Sequence, residues 1–110
     1  MGTHAGLAAG RWQALTLAEQ LGNIGSEVGR AIRASEHDDA ERFAGALDRA
    51  LELFDLTLGD PRWRGHRLRE IARAREVTCD FLVGENDYRS TAASLDAYFF
   101  QFALAARRDR

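Results

Sequence analysis

Apolar residues in this chain recur three and four positions apart, with no stretch of alternating apolar and polar positions, a pattern that predicts helices rather than strands. A first helix is expected from Arg11 or Trp12 to Ala34. Its inner stripe is Ala14, Leu17, Ala18, Leu21, Ile24, Val28, Ala31 and Ile32, while Thr16, Glu19, Gln20, Asn23, Glu27, Arg30 and Arg33 form a solvated face. After a polar link, Asp38 and Glu41 have the spacing of a capping box for a second helix. That helix turns Phe43, Leu47, Ala50, Leu51, Phe54 and Leu58 inward and stops at Gly59. Asp60 suits the N-cap of a third helix and Pro61 its first position, so short a link that helices two and three should form an antiparallel hairpin. The third helix runs to about Val83 with Leu68, Ile71, Ala72, Thr78, Cys79 and Leu82 inward. A turn from Gly84 to Asp87 then leads to a fourth, starting near Ser90 or Thr91 and ending at Arg107 and Arg108. The expected fold is all-α, an up-down antiparallel four-helix bundle spanning 11–110 as a single domain behind a flexible segment, 1–10.

Two helices depart from the ordinary one-sided pattern. Gly22, Gly25 and Gly29 interrupt the first, each costing about 1 kcal/mol relative to alanine in a helix interior. With Ala18 they form a narrow stripe without side-chain bulk, which suits close approach by another helix, in this chain or in a second copy. In the fourth helix Leu95, Tyr98, Phe99, Phe102 and Ala106 make one apolar stripe, and Ala93, Ala97, Phe100 and Leu104 make another. A helix apolar around so much of its circumference needs cover on more than one side. A homodimer is the expected source of that cover, with Gly22, Gly25, Gly29, Phe100 and Leu104 as interface residues.

Length and composition set outer bounds. A chain of 110 residues, 45% hydrophobic, builds one core. It has no bilayer-length apolar run, and its start lacks the basic and apolar regions of a secretory signal, so a cytoplasmic location is expected and a membrane partner is not. A lone cysteine, Cys79, cannot form an internal disulfide and reads as a small core residue. Every basic residue is arginine, which fits a GC-rich prokaryotic coding bias. A net charge of −2 argues against a generic nucleic-acid binder.

Candidate chemistry is sparse. Arg75 lies among Leu68, Ile71, Ala72, Thr78, Cys79 and Leu82, so a buried ion pair is expected, with Asp48, Glu52, Asp55 or Glu27 as partner. Charge is segregated: eight acidic residues and two arginines from Glu36 to Asp60, then six arginines and only Glu70 from Arg62 to Arg75. Arg62, His66, Arg69 and Arg73 form a stripe that could take phosphates. The alternative, favoured because no base-stacking aromatics interleave it, is neutralisation by the acidic helix beside it. His4, His37 and His66 fall in separate segments, and neither paired cysteines nor a phosphate loop nor a serine elbow occurs, so no metal, cofactor or catalytic residue is expected.

The run Ala50-Leu-Glu-Leu-Phe-Asp-Leu-Thr-Leu-Gly-Asp-Pro61, with Glu19 to Glu27 before it and Arg75 to Asp80 after it, resembles a family of small uncharacterised prokaryotic helical-bundle proteins. The likeness runs from Trp12 to Arg107, implies a compact helical bundle and brings no functional residues with it. A looser analogy is to HEPN domains, helical bundles whose active members cleave RNA using arginine, four to six residues, then histidine. Arg30-Ala-Ile-Arg-Ala-Ser-Glu-His37 has that spacing, with alanine where a polar residue usually follows, and Arg75 to Asp80 has it with aspartate in place of histidine. The function expected is a non-catalytic, self-associating interaction or assembly protein. The alternative is a HEPN-like, RNA-directed protein, either a degenerate ribonuclease or an RNA-binding accessory.

Overall fold

The computed structural model describes residues 10–108, and these contain helices and no strand. Residues 10–12 are helical, and four longer helices follow: α1 (Leu17–Glu36), α2 (Ala40–Leu58), α3 (His66–Val83) and α4 (Ala92–Arg108). Of the flexible segment expected over 1–10, and of His4 within it, residues 1–9 lie outside the described residues, while Gly10 is helical. No helix among the described residues is long and apolar enough to cross a membrane.

Helix α1 starts later than its apolar periodicity suggests. Thr16 is its N-cap: the Thr16 hydroxyl accepts from Glu19 N at 3.1 Å and the Glu19 carboxylate accepts from Thr16 N at 2.9 Å. That reciprocal pair satisfies two free amides and fixes the start, so residues 13–15 turn away and Trp12 folds back onto the core. At the other end Asp38 adopts φ 54°, its amide donating to Ser35 O and the Asp39 amide to Ala34 O, which is a Schellman closure of α1. With Asp38 spent on that turn, Asp39 caps α2 by accepting from Arg42 N, and the expected Asp38–Glu41 box does not form.

The link between α2 and α3 corrects a second expectation. Asp60 does not cap a helix at Pro61, because its carboxylate is drawn inward; residues 59–65 form a turn, and α3 begins only at His66. Gly65, the N-cap, has φ 61° and ψ −129°, a conformation costly for any side-chain-bearing residue. The short-link argument for a hairpin therefore fails. Helix α4 begins as expected, with Thr91 and Ser94 exchanging hydroxyl-to-amide bonds of 2.9 and 3.0 Å.

The core is centred on α1. Leu21, Ile24, Val28 and Ile32 meet Ala50 and Phe54 from α2, Ile71 and Ala74 from α3, and Leu95 and Phe99 from α4, with Trp12 and Trp63 closing one side. Helix α1 packs along both α2 and α4, whereas α3 touches α2 more lightly and stands away from α4. Leu68 and Ala72, expected inward, are exposed: the inner face of α3 is rotated toward Ile71, Ala74 and Thr78.

Candidate functional site

The most completely built polar feature was invisible to periodicity. Gln20, fully buried, donates from its amide to Trp12 O at 2.9 Å and to Asp60 Oδ2 at 3.2 Å, and its carbonyl accepts from Trp63 Nε1 at 2.8 Å. Trp12 Nε1 donates to Thr57 Oγ1 at 2.8 Å, and that hydroxyl donates onward to Leu53 O. Arg62 grips Asp60 with Nη2 at 2.7 Å, reaches Leu15 O at 2.6 Å and stacks on Trp63, its carbon 4.4 Å from the ring centroid. Hydrogen bonding from Arg62 holds the Asp60 carboxyl below its usual range, against the opposing effect of burial. These groups are mutually satisfied, so the network fastens the chain before α1 to the turn after α2 and offers little to a ligand. It also withdraws Arg62 from the expected phosphate-binding stripe.

The rest of that stripe faces a different feature. His66, Arg69 and Arg73 line a cleft of about 530 Å³ between α3 and α4, together with Glu70, Ala74, Val77, Thr78, Ser90, Ser94, Leu95 and Tyr98. Tyr98 donates to Glu70 at 3.3 Å, and burial, then the nearby Glu70 charge, raises its phenol well above the ordinary range. The loop after α3 braces the outer wall. Asp80 accepts from the amides of Asp87 and Tyr88, Tyr88 donates to Glu76, and the Arg73 guanidinium lies 5.1 Å from the Tyr88 ring centroid. Hydrogen bonding to Glu76 raises the Tyr88 phenol.

The glycine stripe is occupied largely from within. An added Cβ at Gly25 would stand 2.3 Å from Phe99 Cβ, and one at Gly22 would stand 3.3 Å from Ala103 Cα, so α4 of the same chain lies against both. Gly29 instead has the flexible Arg33 guanidinium over it. These glycines line a groove of about 360 Å³ with Arg33, Asp96 and Ala97, and Phe100 also lines it. Phe100 is 54% and Leu104 41% exposed, and Ala93 and Ala97 on the same stripe are exposed too.

Two other expectations change character. Arg75 pairs with Asp55, Nε to Oδ1 at 3.1 Å, but the side chains are 36% and 63% exposed, so the pair is a surface one. The rotation of α3 that exposes Leu68 and Ala72 carries Arg75 toward water, where such a pair contributes little. Arg30 and His37 do share one groove of about 900 Å³ between α1 and α2, with Arg33, Arg42 and Arg49. Its cations are mostly neutralised: Glu27 pairs with Arg30 and Arg49, and Asp39 with Arg42. Burial raises the Cys79 thiol, as suits an inert small side chain. Among the described residues no group of three His, Cys, Asp or Glu side chains is placed to hold a metal ion.

No protein-family model matches the chain, and no significant match is found among curated proteins or solved structures.

Proposed function

We propose that the protein is a non-catalytic helical interaction module that pairs with a second copy of itself through the outer stripe of α4. The observation that carries this reading is the exposure of Phe100 and Leu104 on a helix whose inner stripe already packs on α1. A second copy suits the stripe by shape. Ala93, Ala97, Phe100 and Leu104 are spaced symmetrically, so crossing α4 against its own twofold mate sets Phe100 over Ala97 and Leu104 over Ala93. Large residues then meet small ones at every step, the arrangement that close helix packing requires. The up-down bundle of four long helices belongs to the same reading. Gly22 meeting Ala103 while Gly25 meets Phe99 supports α4 running antiparallel to α1.

Light scattering after size exclusion should give a dimer mass at micromolar concentration. Phe100→Glu with Leu104→Glu should yield a folded monomer. Ala97→Phe alone should weaken the dimer, and adding Phe100→Ala should restore it by exchanging large for small. A monomeric native chain, or a double variant no better than Ala97→Phe, would remove the proposal.

The RNA-directed reading rests on Arg30 and His37 lining one arginine-rich groove with Arg33. Cleavage or tight binding of a single-stranded RNA, falling steeply with salt and abolished by Arg30→Glu with Arg33→Glu, is what it requires. Glu27 and Asp39 already neutralise three of the groove's arginines, so no such binding is expected at physiological salt.

A further inference from the structure

The cationic stripe on α3 keeps most of its charge. Among the described residues the carboxylates of α2 pair with one α3 arginine, Arg75, through Asp55, so the acidic helix does not neutralise the stripe. The side chains of His66 and Arg69 have no hydrogen-bond or ion-pair partner among those residues. Arg73 lies 5.1 Å from the Tyr88 ring centroid, and its N–H groups make no hydrogen bond there either. All three line the α3/α4 cleft, whose volume of about 530 Å³ lies in the range of small-ligand sites. Glu70 is the one carboxylate in its wall and already accepts from Tyr98. With His66 neutral, two arginines against that carboxylate leave one positive charge, which a single acid group balances. Beyond the arginines the wall turns apolar. Arg69, Arg73 and Val77 follow at four-residue spacing, so they share a face of α3 and rise about 6 Å from each to the next. Beside Val77 stand Ala74, Leu95 and the Tyr98 ring, and Val77 and Tyr98 are only half-buried.

We infer that this cleft binds a small amphipathic carboxylate: Arg69 and Arg73 hold the acid group, and an apolar body lies along Val77, Leu95 and the Tyr98 ring. Guanidiniums one helical turn apart can close on one carboxylate, each supplying paired N–H donors. The apolar wall decides against simpler anions. Inorganic phosphate satisfies the arginines and leaves Val77 and the Tyr98 ring facing water, and a bare sugar–phosphate backbone does the same. Phe100 and Leu104 do not line the cleft, so the site stands whether or not the chain pairs with itself.

Calorimetric titration of the full chain with 4-phenylbutyrate tests it, against the uncharged 4-phenylbutyramide and against acetate and inorganic phosphate, which lack the apolar body. The expected result is one site per chain, with each of the three bound at least fivefold more weakly than phenylbutyrate. Arg69→Glu with Arg73→Glu should bring phenylbutyrate to the level of the amide while leaving the amide unchanged, a cycle that a merely destabilised fold would not reproduce. Val77→Ser should weaken acid and amide alike. Arg64 and Arg67 do not line the cleft, so Arg64→Glu with Arg67→Glu, the same change of charge nearby, should leave the acid's affinity within twofold. Phe100→Glu with Leu104→Glu should leave it there too. The proposal is overturned by no binding at millimolar concentration, by acid and amide binding alike, or by acetate or phosphate matching phenylbutyrate. It is equally overturned if reversing Arg64 and Arg67 costs as much as reversing Arg69 and Arg73. Single-stranded RNA that displaces the acid in an Arg69- and Arg73-dependent way would also overturn it, reassigning the cleft to nucleic acid.

Discussion

Replacing Gln20 with methionine should lower the unfolding free energy by about 3–5 kcal/mol, a large share of the ~5–15 kcal/mol typical of a whole domain. Methionine keeps the volume and removes every polar atom. The Trp63 indole N–H then loses its partner inside the core, the Trp12 carbonyl is left with the Leu15 amide alone, and Asp60 loses a donor. Each is desolvated in the folded state and hydrated in the unfolded one, so the cost falls wholly on folding. Urea titration followed by far-UV circular dichroism measures it. Asp60 adds a pH signature. Its folded carboxyl titrates below the ordinary range, so its contribution is fully present above about pH 4 and is lost as the pH falls through the depressed folded value. Asp60→Asn should therefore flatten the acid limb of the stability profile and lower the plateau above it. A Gln20→Met loss under about 1 kcal/mol would mean that water reaches these groups.

That network shows where local reading stops. The stripe of α1 was legible because Leu21, Ile24, Val28, Ala31 and Ile32 declare themselves by spacing, and all are buried. The start of α4 was legible because Thr91 and Ser94 satisfy amides only three residues apart. Gln20, by contrast, looked like a solvated residue beside Glu19. Its partners, Trp63 and Asp60, lie 43 and 40 residues away, and no periodicity reports such bonds. One signal was present: Gln20 precedes Leu21 and stands one turn before Ile24, on the edge of the buried stripe. Two tryptophans outside the four long helices, Trp12 before α1 and Trp63 between α2 and α3, each needing a partner for an indole N–H, were another. Asp60 was misassigned for a related reason. Asp-Pro satisfies the local rule for a helix start, but buried partners across the turn compete for the same carboxylate and win. The candidate cleft was half legible. His66, Arg69 and Arg73 stood out as a stripe, whereas Thr78 and Tyr98 join them only because α3 stands away from α4.

The glycine stripe yields the sharpest contrast between intrinsic propensity and packing. In an exposed helix, glycine to alanine should stabilise by about 1 kcal/mol. Gly45 approaches that case, since an added Cβ would meet only the far end of Arg49, and Gly45→Ala should raise stability by about 0.5–1 kcal/mol. Gly25→Ala should do the opposite. The new methyl would lie 2.3 Å from Phe99 Cβ, short by roughly 1 Å of the 3.4 Å at which ordinary contact begins. Because the obstacle is a Cβ, no rotamer of Phe99 relieves it. Helix α4 must move bodily, opening the contacts that Phe99 makes with the core around Phe54. Overpacking of this kind costs about 1–3 kcal/mol or more, which exceeds the propensity gain, so the net change should be a loss of at least 1 kcal/mol. Thermal and urea unfolding of the two variants side by side decides the matter. If Gly25→Ala were as stabilising as Gly45→Ala, α4 would not be seated on α1 at Gly25. The outer stripe of α4, with Phe100 and Leu104, would then lose the backing that holds it toward a second chain.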